Sequence, residues 1–227
     1  MPLTKIDRLN NKFIKHYDAI EDAREQALKL AREISRESTT IIRRVHSQSN
    51  ENISKLMTGL KDINKKYKNL RKLLTPQPEL YYSNFVENYL QEYAEAVILL
   101  TLMQNNLNIT QLPDPDELML PYTTYLLGLS DVIGELRRCA LDELRLKELK
   151  KANAYLDAME ELYEIIINLN YPNGVLPVRR KQDVARALID KTRAELAFLA
   201  SEYSLEENIS ELKSELKSYY KKLARKN

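Results

Sequence analysis

Apolar side chains recur every three or four residues along most of this chain, which is the spacing of one face of an α-helix. In the second half of residues 5–48 this face consists of Ala27, Leu30, Ile34, Ile41 and Val45. The same spacing predicts further helices at 51–74, 79–107, 122–145, 147–169, 178–202 and 205–225. No alternation of β-branched and polar residues is long enough to predict a sheet. The pattern therefore predicts an all-α bundle of about seven helices.

Short connectors separate the predicted helices. TPQP at 75–78 ends the second helix, because proline cannot continue the helical hydrogen-bond ladder. Since no long flexible linker divides the chain, we predict one helical domain over 1–202. A further helix in 203–227 would pack on this domain or extend from it. It carries a coiled-coil-like seam of Leu205, Ile209, Leu212, Leu216, Tyr219 and Leu223.

The third predicted helix changes character at QEYAEAVILL, residues 91–100. Glu92 and Glu95 are three apart and therefore share one face. This face turns apolar within about one turn of helix, at Leu99. Two glutamates can be a solvated corner, but a solvated face normally stays polar. Because an unpaired buried carboxylate is costly, we expect the pair to have a partner or a metal ion.

A second acidic pair lies in YLLGLSDVIGELRRC, residues 125–139, where Asp131 and Glu135 share a face. Taken alone, this segment fits an ordinary amphipathic helix at least as well as a functional site. Its glycines, Gly128 and Gly134, each cost roughly 1 kcal/mol relative to alanine inside a helix. We therefore expect each glycine to permit the close approach of another backbone.

Two helices that each offer two carboxylates can hold Mg²⁺ or Mn²⁺, which prefer oxygen ligands. A carboxylate-bound ion of this kind can activate water and neutralise the charge of a phosphodiester transition state. The spacing alone does not decide between this site and solvated helix surfaces, where such acidic pairs are also common.

Net charge is unevenly distributed along the 227 residues. Residues 1–72 carry +8, residues 73–170 carry −10 and residues 171–227 carry +4. In the first helix, Lys29, Arg32, Arg36 and Arg43 fall within a narrow arc. Such a stripe can bind nucleic-acid phosphates, although a basic helix face is also common as solvated surface. Arg179, Arg180 and Lys181 begin a helix, where an anionic partner or a loop contact would offset their unfavourable position.

The remaining composition points to a reducing compartment. Cys139 is the single cysteine and cannot form an intrachain disulfide, and the N-terminal residues lack the apolar core of a signal peptide. The longest apolar run is too short to span a membrane. We therefore expect a soluble, cytoplasmic protein with no membrane partner. His16 and His46 are too few and too distant in sequence to suggest a histidine-rich site, and we expect Cys139 to pack in the core.

Three segments together resemble the translin-associated factor X (TRAX) branch of the translin family. They are LAREISRESTTIIRRVH in the first helix, QEYAEAV in the third and YLLGLSDVIGELRRC in the fourth, in the family's order. The resemblance covers most of residues 10–200. Residues 141–151 depart from the family's glycine-containing loop, and 203–227 extend beyond its core.

The resemblance implies an all-helical fold that assembles into a barrel-like octamer around RNA. TRAX subunits cut RNA with Mg²⁺, and the matching metal ligands here are Glu92, Glu95 and Asp131. Glu135 completes the catalytic set, either as a ligand or by orienting its neighbours. Lys29, Arg32, Arg36 and Arg43 lie where the family contacts nucleic acid. Because one chain carries both the basic stripe and the acids, a homo-oligomer is expected.

Three functions follow from these features. The first is a Mg²⁺-dependent endoribonuclease, with Mn²⁺ as the alternative ion, acting on single-stranded or short duplex RNA inside a homo-oligomeric shell. The second is a non-catalytic shell that binds single-stranded RNA or DNA and has no need of the four acids. The third is a helical scaffold that assembles through its C-terminal seam and whose charges are incidental.

Overall fold

The computed structural model describes residues 4–47, 53–77, 80 and 83–224, and this part of the chain is helical, with no strand. Its seven α-helices confirm the predicted all-α class. They are α1 (Lys5–Val45), α2 (Ile53–Leu74), α3 (Asn84–Gln104), α4 (Pro115–Leu118), α5 (Tyr122–Arg145), α6 (Leu149–Ile167) and α7 (Arg179–Ala224). A 3₁₀ turn, Ile109–Gln111, lies between α3 and α4. None of the described helices is long and apolar enough to cross a membrane.

Most predicted helix boundaries lie within a few residues of the observed ones. The third helix ends earlier than residue 107, because Asn106 and Leu107 adopt left-handed φ values of 52° and 65°. The predicted sixth and seventh helices are wrong as separate elements, since α7 runs unbroken from 179 to 224. No proline or glycine interrupts it near residue 203. The predicted ends at 48, 51, 79 and 225 lie outside the described residues.

Two central helices, α3 and α5, organise the core. Helix α3 packs against α1, α2 and α5, and α5 packs against α3, α6 and α7. Helix α3 has neighbours on several sides, which explains why its residues 96–103 are apolar around the whole helix apart from Thr101. Its fully buried residues there are Ala96, Ile98, Leu99, Leu100 and Leu102.

The predicted role of Gly128 is confirmed by its position against α3. A Cβ atom at this position would lie 2.7 Å from the Ala94 Cβ, 2.8 Å from the Gln91 carbonyl oxygen and 3.0 Å from the Glu95 nitrogen. The same expectation is wrong for Gly134, where a Cβ would meet only the Leu188 side chain at 3.9 Å. Of these two glycines, only Gly128 therefore permits the close approach of α5 to α3.

The C-terminal half of α7 leaves the body of the bundle. The seam residues Leu205, Ile209, Leu212 and Leu216 are 49% to 59% exposed. The side chains of Tyr219 and Leu223 lie outside the described part of the chain. Among the described residues, the last contacts with the bundle are at the start of this half, where the Tyr203 hydroxyl donates to the Leu144 carbonyl at 3.1 Å and Glu206 lies 2.8 Å from Lys147. The domain boundary at residue 202 stays a prediction.

We expect Gly128→Ala to lower the free energy of unfolding by about 1–3 kcal/mol, the usual range for an overpacked contact. The atoms that the new methyl group would meet include backbone atoms of α3, which cannot rotate away. Chemical denaturation measures the change.

Gly134→Ala is the matched control, because it makes the same substitution in the same helix. It should be neutral or stabilising by up to about 1 kcal/mol, since alanine is the better helix former and has room there. Equal effects of the two substitutions would contradict a specific close approach at Gly128.

Candidate acidic site and basic surface

The approach of α3 and α5 brings the four predicted carboxylates together. Glu92 and Glu95 of α3 and Asp131 and Glu135 of α5 are all partly buried. They lie close enough for the charges of the other three to act on Glu95. We call these four side chains the acidic site. The structure thus places the residues as one group, while their chemical roles stay predictions.

Glu95 is the least compensated member of the acidic site. No described side chain donates a hydrogen bond to it or forms an ion pair with it. Burial is the largest cause that raises the pKa of Glu95 to about 8. The negative charges of Asp131, Glu135 and Glu92 add to this rise, and Lys181 opposes it. This carboxyl group therefore lacks the cation that its ionised form requires.

Glu92 is held by two hydroxyl groups of α1. Ser35 Oγ donates to Glu92 Oε2 at 2.7 Å, and Thr39 Oγ1 donates to the same oxygen at 2.6 Å. Ser35 and Thr39 are four residues apart, so they lie on one face of α1. These contacts fix the orientation of the Glu92 carboxylate and dock α1 against α3 at the site.

Asp131 is neutralised from within the chain. Lys181 Nζ of α7 forms an ion pair with Asp131 Oδ1, and the Gln91 side-chain amide donates to Asp131 Oδ2. The cations at the start of α7 suggested an anionic partner. For Lys181 this partner is the Asp131 carboxylate. Arg179 and Arg180 are exposed to solvent.

Glu135 is paired with a histidine that the sequence did not place in any site. His46 Nε2 lies 2.5 Å from Glu135 Oε2. The other ring nitrogen of His46 lies 3.6 Å from Cys139 Sγ. Cys139 is buried, as predicted, but it also contacts this polar network. His46 lies on the same side of the chain as Ser35 and Thr39, but this spacing becomes a signal only once α1 is seen to pack against the acids.

The donor chemistry of the acidic site fits a hard divalent ion, since all four side chains offer carboxylate oxygens. The arrangement of the side chains is not that of a complete coordination shell. Within the described ranges, no group of three or more His, Cys, Asp or Glu side chains is placed to hold a metal ion. The reason is visible in the contacts, since Asp131 is turned to Lys181 and Glu92 to the hydroxyls of α1.

A stripe of exposed cations on α1 borders the acidic site. We call Lys29, Arg32, Arg36 and Arg43 the basic stripe. At about 100° per residue, the four fall within an arc of about 60°. The neighbouring arc, about 40° wide, holds the residues that contact the acids, Ser35, Thr39 and His46.

The basic face of α2, unlike the basic stripe, is partly compensated by acids. In the described part of the molecule, no side chain pairs with any of the four members of the stripe. On α2, by contrast, Lys66 lies 2.5 Å from Glu37, and Lys65 lies 2.9 Å from Asp62. The stripe therefore presents uncompensated positive charge beside the acids.

Known proteins resemble this chain over most of its length. The model of the translin family matches residues 22–195. An uncharacterized protein of Methanocaldococcus jannaschii is 34% identical over 206 residues, which cover 90% of this chain and 88% of the relative. The crystal structure of AfC3PO is 28% identical with a TM-score of 0.73, covering 86% of this chain and 98% of that one. The crystal structure of apo-NeC3PO, at 22% identity, has a TM-score of 0.71, covers 88% and 99% of the two chains, and shares the fold.

The raised pKa of Glu95 predicts a pH dependence of stability in the absence of divalent ions. Between the ordinary value of 4.5 and about 8, the folded chain holds a proton on Glu95 that the unfolded chain has released. The contribution of this group to stability is therefore full below pH 4.5 and decreases as pH rises to about 8. We expect Glu95→Gln to gain stability relative to the wild type over this interval, measured by denaturation at several pH values with EDTA.

Glu161→Gln is the control, because Glu161 is an exposed carboxylate on α6. Its stability should follow that of the wild type across the same pH range. A Glu95→Gln variant that tracks the wild type equally well would contradict the burial of an uncompensated carboxyl group.

Proposed function

We propose that this chain, which belongs to the translin family, is a TRAX-like Mg²⁺-dependent endoribonuclease that binds single-stranded or short duplex RNA inside a homo-oligomeric shell. One observation carries the proposal: four partly buried carboxylates from two helices lie together, and among the described side chains Glu95 has no hydrogen-bond or ion-pair partner. Translin-family proteins bind nucleic acids and form oligomers. A family member that only binds RNA has no need of such a costly group.

The acidic site supplies the ligands for the ion. Glu92, Glu95 and Asp131 would hold Mg²⁺, with Mn²⁺ as the alternative, and Glu135 would assist them. When bound, such an ion activates water and neutralises charge on a phosphodiester undergoing hydrolysis. The hydroxyls of Ser35 and Thr39 orient Glu92 for this role.

The basic stripe supplies the binding surface for the substrate. Its cations attract the phosphates of RNA, or of single-stranded DNA, without reading the base sequence. Because the stripe and the acid-contacting face lie side by side on α1, a strand bound along the stripe would pass the acidic site. This geometry supports cutting within a strand rather than recognition of an end.

Assembly is proposed from the exposed seam of α7 together with the family. Leu205, Ile209 and Leu212 leave about half of each side chain in water, which is costly for an isolated chain. A homo-octamer with the basic stripes on its inner wall is the form that we propose. The cytoplasmic location expected from the sequence stays a prediction.

A binding protein without catalysis is the second candidate, and one observation favours it. Lys181 neutralises Asp131 in this structure, and the described residues provide no ready set of three ligands. In that case the acidic site would be a structural network, and RNA would be bound but not cut.

The test of catalysis is cleavage of labelled single-stranded RNA by the wild type and by the double variant Glu92→Gln with Glu95→Gln. We expect cleavage with Mg²⁺, none with EDTA, and a loss in the variant larger than the roughly 10- to 100-fold typical of losing an outer-shell partner. RNA binding measured in EDTA should survive. Undiminished cleavage by the variant would contradict the catalytic proposal, and a strict monomer in light scattering would contradict the shell.

The test of the RNA surface is the salt dependence of binding by Arg32→Gln with Arg36→Gln. Each lost phosphate contact should reduce the slope of log K against log salt by about 0.7 for a single strand. The control, Lys61→Gln with Lys68→Gln, removes the same charge from exposed positions of α2 and should have the smaller effect. Equal weakening by the two pairs would mean that general positive charge, and not the basic stripe, binds RNA.

A further inference from the structure

His46 is the one buried imidazole in the described part of the chain, and it joins the end of α1 to α5. The His46 side chain is polar and directly follows the last residue of α1, yet it is only 1% exposed. We propose that His46 is a positioning residue that fixes the Glu135 carboxylate at the acidic site and is itself held by Cys139. This inference rests on the proposed function for its catalytic consequence, but the arrangement can be tested without it.

Both ring nitrogens of His46 are engaged by side chains of α5. Nε2 lies 2.5 Å from Glu135 Oε2, and Nδ1 lies 3.6 Å from Cys139 Sγ. Glu135 and Cys139 are four residues apart, so they project from one face of α5 about one turn from each other. The imidazole fits between them and bridges that turn.

The chemistry of the two partners assigns the ring proton. Burial, reinforced by nearby carboxylates, raises the pKa of Cys139 to about 12, so the thiol keeps its hydrogen. The S–H group can then donate to Nδ1, which leaves Nε2–H to donate to Glu135. A histidine whose second nitrogen is held in this way has a fixed tautomer and a fixed ring orientation.

The consequence for the acidic site is a fixed carboxylate. The hydrogen bond occupies one oxygen of Glu135 and restricts rotation of its carboxyl group, whose charge acts on Glu95. Because His46 directly follows α1, the same contact holds the basic stripe in place relative to the acids. Partners of this kind, which do not touch the substrate, typically change activity by about 10- to 100-fold when removed.

Two near-isosteric substitutions separate positioning from packing. In His46→Gln the side-chain amide can reach the place of Nε2 and donate to Glu135. In His46→Asn the shorter amide reaches only the place of Nδ1, near Cys139. We expect His46→Gln to keep most of the RNA cleavage, and His46→Asn to lower kcat by about 10- to 100-fold with little change in KM. His16→Gln, at the only other histidine, which is exposed on α1, is the control.

Nitrogen NMR of the wild type provides a readout that does not depend on cleavage. The chain has two histidines, so the spectrum of His16→Gln identifies the signals of His46. We expect His46 to be the tautomer protonated on Nε2, with Nδ1 as an acceptor. Cys139→Ala should shift the Nδ1 signal of His46 and leave His16 unchanged.

The outcomes distinguish this inference from the proposed function. If the wild type cuts RNA and the two His46 variants have equal kcat, positioning by His46 is overturned while the nuclease stands. If the wild type does not cut RNA, the nuclease proposal fails and the NMR signals still decide the arrangement. A ring protonated on Nδ1 only, or one averaged between tautomers, overturns it, whether or not either variant folds.

Discussion

The close contact of α3 and α5 at Gly128 is the constraint on which the rest of the site depends. A methyl group there would be driven into the Ala94 side chain and the backbone of α3 at Gln91 and Glu95. With glycine, the two helices approach closely enough for Asp131, one turn further along α5, to accept a hydrogen bond from Gln91. The acidic site is therefore a product of helix packing.

The four carboxylates lie close enough to repel one another, and only three of them have a compensating partner among the described residues. Three acids have partners from other helices: the hydroxyls of α1 for Glu92, Lys181 for Asp131 and His46 for Glu135. Glu95 has none among the described residues, and its pKa rises to about 8. The folded chain thus keeps an unpartnered, partly buried carboxyl group at Glu95, beside the exposed basic stripe. A divalent ion is the simplest partner that would remove the cost of burying this group, and in the proposed function it would link the two surfaces.

Much of the fold could be predicted because helical periodicity is a local signal. The turn from acidic to apolar after Glu95 predicted that Glu92 and Glu95 are not a solvated corner, and the cost of a glycine in a helix predicted the contact at Gly128. Gly134 has no such contact, which could not be predicted, since helix propensity does not reveal what lies opposite a residue. The predicted division of α7 near residue 203 was wrong, because no proline or glycine interrupts the helix there.

The partners of the acids could not be predicted in the same way. Ser35, Lys181 and His46 are far from the acidic pairs in sequence and meet them only when α1 and α7 pack. Periodicity places a residue on a face but does not say which face it meets. Helical spacing marked the four acids and the basic stripe, and the family resemblance supplied their expected roles, but neither identified the side chains that hold the acids.

The measurement that tests the central claim most directly is anomalous diffraction from a crystal soaked in Mn²⁺. We expect one strong peak bonded to Glu95 and to at least one of Glu92 and Asp131, with metal–oxygen distances near 2.1 Å and Lys181 turned away from Asp131. No peak at the acidic site in saturating Mn²⁺, with Lys181 still paired to Asp131, would contradict that claim.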